Sequence, residues 1–294
     1  MKTTRKAQFD SRFEIIENDF DQLPFRSFPE KFMQDYFNDN YERLQIPLTK
    51  YSRHFIQQVL RKGIVATTSF NDQNNNQKIV YTWKSNDELT VMSGLKLHSY
   101  FSHYTAMFLH QLTLQIPKTY YLNYEHTKDT IPSDEASLTQ EAIDRVFSNP
   151  QRKASQYYSL MDRKIFILNG KKTNKLGVIK VLNEKQCYEY TDLERTLIDI
   201  AIRPVYAGGV FEVLEAYKKA KDILDVKKLV NYLDKLNFIY PYHQVIGFYL
   251  ERAGYSEKNL KLFDKKKLFD FYLTYEIRNK EYSSRWKLHI PKGI

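Results

Sequence analysis

The sequence predicts an α+β protein in two parts. An N-terminal winged helix-turn-helix domain with a leading arm is expected over residues 1–90. A C-terminal α/β domain is expected over residues 91–294, with a small, mostly antiparallel sheet and a helical subdomain. Three observations carry this expectation. A helix, a glycine and a two-stranded pattern follow one another through residues 50–84, three β-branched and aromatic runs lie between 163 and 191, and four apolar stripes at helical spacing fill 193–252. At 294 residues the chain is long enough for about two domains, each with its own core.

The elements follow in order. Residues 1–30 read as an arm, with Pro24 and Pro29 bracketing an aromatic segment. Phe32, Met33, Tyr36 and Phe37 mark the first helix. After a connector containing Pro47, Phe55, Ile56, Val59 and Leu60 form one face of a second helix, which Gly63 stops. "IVATTSF" and "KIVYTW" flank the polar tip "NDQNNNQ", a hairpin with a long loop. Beyond Asp87, Ser102 caps a helix, "KTYYLNYE" is a strand, and Ile143, Val146 and Phe147 mark another helix after the polar "DTIPSDEAS". "RKIFILN", "KLGVIKVL" and "QCYEYT" are the strands of the small sheet. Four helices follow, punctuated by Pro204 with Gly208 and Gly209, by Asp225 as a cap, by Pro241 in a first turn and by Gly254 as a stop.

Composition bounds the chemistry. Cys187 is the lone cysteine, which excludes an intramolecular disulfide and a multi-cysteine zinc site. No window approaches the ~18 apolar residues of a membrane span, and the N-terminus lacks the apolar segment of a signal peptide; the expectation is a cytoplasmic protein without membrane contact. The net charge of +10 points to a polyanionic partner. Its densest part lies in Lys50–Lys84, where six bases face one acid, Asp72. The predicted helix there leaves Lys50, Arg53, His54, Gln57, Gln58, Arg61 and Lys62 off its apolar stripe, and the hairpin adds Asn74, Asn75, Gln77 and Lys78. Arg and Gln read guanine and adenine edges in a major groove, while Lys and Asn suit phosphate or minor-groove contacts, so these eleven residues are the candidate DNA contacts.

The other motifs read as structure. In "TDLERTLIDIAIRPVYAGG", Asp192 and Glu194 fall in a first turn, where acids complement the helix dipole; Thr191 is a cap, and Asp199 pairs with Arg195 four residues earlier. His103 and His110 lack the HExxH spacing of a zinc pair. "NGKKT" lacks the first glycine of a phosphate loop, and its Asn-Gly is a turn signal. Asp144 with Asp162 and Lys164 forms the one outline of a magnesium-dependent nuclease, of a kind that short charged patterns produce by chance. No metal, cofactor or catalytic residue is expected.

Three stretches together resemble AbiEi-type antitoxins of type IV toxin–antitoxin (abortive infection) systems. "YFSHYTAMFLHQLTLQIPKTYYLN" is similar to that family's Ser-x-x-(Ser/Thr)-Ala-x-x-x-His-x-Leu-Thr segment and Pro-Lys-Thr strand. Glu194-Arg195-Thr196-Leu197 with Gly208-Gly209 resembles its Glu-Arg-Thr-Leu helix and Gly-Gly, and "RWKLHIP" its closing Trp strand. The likeness spans about 95–290 and is weakest over Asp129–Pro150. It implies an antitoxin that neutralises a nucleotidyltransferase-like toxin without needing a stable complex. It further implies repression of its own operon by binding inverted repeats upstream. The toxin's Gly-Ser is absent, since Val210 follows Gly209. The alternatives are a stand-alone DNA-binding regulator and a magnesium-dependent nucleic-acid enzyme acting through Asp144, Asp162 and Lys164.

Overall fold

The structure is a computed structural model that describes residues 13–44, 52–126, 138–265 and 267–294, without the side chains of 52–55. It is a mixed α/β fold. The chain divides into two compact units, Met1–Ser99 with Tyr157–Asp162 and Lys180–Glu189, and Tyr100–Gln156 with Arg163–Ile179 and Tyr190–Ile294.

In the first unit, helices α1 (Phe13–Asp21), α2 (Glu30–Asn40) and α3 (Ser52–Arg61) pack with the strands β1 (Ser27–Pro29), β2 (Val65–Asp72) and β3 (Gln77–Trp83) around a core of Ile16, Phe20, Phe28, Met33, Phe37, Val59 and Trp83. The apolar spacing on α2 and α3 explains their faces: Met33 and Phe37 are buried from one, Ile56 and Val59 from the other. β2 and β3 pair antiparallel from Val65↔Trp83 to Asn71↔Gln77. β1 adds to β3, and β6 (Tyr157–Leu160) to β2. The hairpin tip is shorter than expected, with Gln73–Asn76 joining the strands. Asp72 makes this possible by accepting hydrogen bonds from the amides of Asn74 and Asn76, both at 2.8 Å, while Asn75 takes φ 63°. Helix α4 (Glu88–Ser93), capped by Asp87, closes the unit.

In the second unit the pairing is mixed, where a small, mostly antiparallel sheet is expected from the sequence. β5 (Thr119–Glu125) pairs parallel with β7 (Arg163–Gly170) over seven residues, antiparallel with β4 (Tyr100–Phe101), and β4 pairs parallel with β9 (Cys187–Thr191). A parallel pair needs a long crossover, and residues 126–162 supply it with helix α6 (Gln140–Phe147), following α5 (His103–Leu109) and β5. β8 (Val178–Leu182) precedes β9. The helical stripes form as expected: α7 (Leu193–Ile202), α8 (Val210–Lys219), α9 (Val226–Leu236) and α10 (Tyr242–Arg252) bury Leu197, Val213, Leu229 and Ile246 in one core. Gly208 at φ 82° and Gly209 at φ 101° turn the chain into α8, a backbone that side chains rarely adopt. After α11 (Glu257–Leu260), a three-stranded sheet of β10 (Phe271–Tyr272), β12 (Leu288–Pro291) and β11 (Lys280–Ser283) carries the fully buried Trp286.

Candidate functional site

Helix α3 presents one face to the core and the other to solvent. Ile56 and Val59 are buried; Gln57, Arg61 and Lys62 are exposed and Gln58 half-buried. Gln57 and Arg61 lie four residues apart, as do Gln58 and Lys62, so each pair shares a stripe. The Lys62 ammonium lies 5.0 Å from the Phe13 ring centroid. In the hairpin Asn74, Asn75 and Gln77 are exposed. Lys78 is half-buried, its ammonium 4.9 Å from the Tyr158 ring centroid and 3.5 Å from the hydroxyl, so it holds β6 as well as carrying charge. Lys50 and the side chains of Arg53 and His54 lie outside the described residues.

Asp192, Glu194 and Asp199 each have partners, some of which local sequence did not show. The cap of α7 is Asp192 rather than Thr191: its carboxylate accepts from the Arg195 amide at 2.9 Å, while the Thr191 hydroxyl bonds that of Thr196 at 2.8 Å. Lys228, one helix away on α9, reaches Asp192 at 3.0 Å and Glu194 at 2.7 Å, and the Tyr232 hydroxyl donates to Asp192 at 3.0 Å. The Arg195–Asp199 pair is buried, at 8% and 11% side-chain exposure, with Nε to Oδ1 at 2.8 Å. Arg195 also donates to the Leu176 carbonyl at 2.8 Å. Burial opposes its charge, but Asp199, Tyr100 and Glu125 outweigh that and raise its affinity for the proton. At Glu125, burial likewise opposes ionisation. Hydrogen bonds from the Thr173 hydroxyl and amide, the Lys175 amide and the Tyr100 hydroxyl hold its carboxyl below the ordinary range.

Beside this network the second unit contains a cleft of about 1190 Å³. Its cationic lining comes from Arg145 at the end of α6, Arg152 and Lys153 in the irregular segment 149–156, Lys171 after β7, Arg195 on α7 and Arg203 just beyond it; among the described residues Asp199 is the lone carboxylate. Tyr206, Tyr240, Tyr242 and Tyr275 supply aromatic wall. The segment 149–156 is anchored where the Ala154 amide donates to the Tyr206 hydroxyl at 2.6 Å and the Gln156 carbonyl accepts from the Ile167 amide at 3.2 Å. His103 also lines the cleft. Its Nδ1 lies 2.8 Å from the Ser102 hydroxyl, so the expected cap serine bonds the ring instead of the helix backbone. Burial, reinforced by Arg203 and Arg195 and opposed by Asp199, pushes its pKa down to about 4, leaving the ring neutral near pH 7. The sequence did not mark this cleft as a site, although "NGKKT" and "TDLERTLIDIAIRPVYAGG" both supply lining residues, because its walls come from segments scattered between residues 103 and 275.

The residues of the nuclease outline have other surroundings. Asp144 accepts from Gln140 at 2.8 Å and from the Tyr272 hydroxyl at 2.9 Å. Asp162 and Lys164 are exposed. Among the described residues no three His, Cys, Asp or Glu side chains are grouped to hold a metal ion, and no helix is long and apolar enough to cross a membrane.

No protein-family model matches the chain, and no curated protein sequence does. In architecture it is similar to the RV2827C protein from Mycobacterium tuberculosis, known from a crystal structure. The two are 10% identical with a TM-score of 0.51, over 96% of this chain and 91% of that one. At that identity the likeness concerns the fold alone.

Proposed function

We propose that the protein is a non-enzymatic antitoxin of a type IV toxin–antitoxin system that represses its own operon. In this reading the first unit is a winged helix-turn-helix, with α3 as its recognition helix and the β2–β3 hairpin as its wing. The observation that carries the DNA-binding part is the division of α3, where Ile56 and Val59 are buried while Gln57, Arg61 and Lys62 are exposed, together with a hairpin that exposes Asn74, Asn75 and Gln77. The antitoxin part rests on the resemblance of residues 95–290. The partners are operator DNA and a nucleotidyltransferase-like toxin that the protein antagonises functionally.

The test is binding to the DNA upstream of the protein's own gene. Arg53→Ala and Gln57→Ala should each weaken it by ~1–3 kcal/mol and relax sequence preference, whereas Lys62→Ala should weaken all duplexes alike and flatten the salt dependence. Unchanged binding in all three variants rejects α3 as the reading helix. Repression without rescue of cells expressing the neighbouring toxin gene leaves a stand-alone regulator. Magnesium-dependent cleavage of nucleic acid that Asp162→Asn abolishes replaces both readings with an enzyme.

A further inference from the structure

We propose that the cleft of the second unit binds single-stranded nucleic acid, with the backbone on its cationic rim and bases against its tyrosines. The inference does not rest on the operator-binding reading of the first unit. Its first support is uncompensated charge. Arg145, Arg152, Lys153 and Arg203 are exposed around the cleft, and among the described residues none has a carboxylate within ion-pair distance. The one carboxylate that the described residues give the lining, Asp199, is taken up by Arg195 at 2.8 Å. Like charges gathered round a concavity repel one another and raise the local concentration of anions.

The second support is the rings. Tyr275 stacks on Phe147 with centroids 4.3 Å apart and an interplanar angle of 24°, and Tyr240 stacks on Phe271 at 5.8 Å and 24°. Both are half-buried and line the cleft, so their orientation is fixed by packing behind them. Fixed aromatic walls beside a cationic track are what unstacked bases and their phosphates require, and an acidic peptide would leave the rings unused. Size is the third support. About 1190 Å³ exceeds the ~300–1,000 Å³ typical of sites for drug-sized ligands, which suits more than one nucleotide. A duplex hides its base faces in the stack and would meet only the rim.

The experiment is fluorescence anisotropy of the full chain with a labelled ten-residue oligouridine RNA, its oligothymidine counterpart and a duplex of the same length. The single strands should bind, and Arg152→Glu with Lys153→Glu, both exposed positions whose fold is checked by circular dichroism, should weaken them about tenfold and lower the salt slope by about 0.7 for each cation lost. Tyr240→Leu should weaken the oligonucleotides several-fold while leaving competition by inorganic polyphosphate unchanged. Gln57→Ala with Lys62→Ala should leave single-strand binding intact. The proposal falls if single strands do not bind at micromolar protein, if the charge reversals leave affinity unchanged, if the first-unit variants abolish it, or if a polyglutamate peptide binds more tightly than either oligonucleotide.

Discussion

Arg195 and Asp199 stand one helical turn apart, a spacing worth ~0.3–0.5 kcal/mol on an exposed helix. At 8% and 11% exposure the same pair has a different meaning, because losing one partner leaves a buried charge unmatched. Asp199→Leu should therefore cost ~3–5 kcal/mol in denaturant unfolding, and Arg195→Met added to that variant should recover part of the loss. A loss below ~0.5 kcal/mol would mean that solvent reaches the pair. His103 gives the pH counterpart. Its folded pKa of about 4 lies below the ordinary 6.5, so the unfolded chain binds the extra proton first, and stability is full above pH 6.5 and declines as pH falls towards 4. His243, pushed to about 4 by burial and then by Lys265 and Lys267, adds a decline of the same sign. For His103 the whole decline amounts to ~3 kcal/mol. His103→Asn should make the melting temperature less dependent on pH in that window; parallel profiles for the two proteins would contradict the buried neutral ring. The pairing of Arg195 with Asp199 was legible in their spacing, but their burial was not, since nothing local announces that Tyr100, Glu125 and Thr173 will close over them.

Helix α10 passes so close to the last sheet that a side chain at Gly247 has no room: a Cβ there would lie 2.1 Å from Cζ3 of Trp286. The same helix also binds Trp286 directly, its ring nitrogen donating to Glu251 at 2.7 Å and its carbonyl accepting from Gln244 at 2.7 Å. Gly247→Ala should thus cost at least ~1–3 kcal/mol by overpacking, read as a shift in the denaturant midpoint, and Trp286→Phe should lessen that penalty in the double variant. A fully stable Gly247→Ala protein would show that helix and sheet can move apart. The helices of this unit were legible because each carries both a stripe and a boundary residue. Asp225 accepts from the amides of Lys227 and Lys228, and Gly254 stands at φ 76° after α10. The strands were legible as strands but not as a sheet. β5 and β7 have the same alternation whether their pairing is parallel or antiparallel, and the 37 residues between them decide the matter through a crossover that no local pattern encodes. The two-residue β4 and β10 are too short for any periodicity to register.

Each compact unit has a hydrophobic core of its own, and the chain's two tryptophans divide between them: Trp83 is 2% exposed in the first, Trp286 fully buried in the second. The first unit is discontinuous, since Tyr157–Asp162 and Lys180–Glu189 belong to it, and β6 pairs with β2 through Asn71↔Ser159 and Asp72↔Tyr158. Cutting the chain near residue 90 would accordingly leave β2 without its edge neighbour, so point substitutions separate the two units more cleanly than truncation does. The tryptophans make the separation measurable. In a Trp83→Phe background fluorescence reports the second core, and in a Trp286→Phe background it reports the first. Leu197→Ala empties a fully buried position of the second core and should cost ~2–5 kcal/mol there. If the cores are separate cooperative units, that substitution moves the unfolding midpoint seen by Trp286 and leaves the one seen by Trp83 in place. If both midpoints move together by the same free energy, the chain unfolds as a single body. In that case a loss of the proposed DNA binding on substitution in the second core would report folding of the whole, and only surface variants such as Gln57→Ala and Lys62→Ala would test the proposed interface.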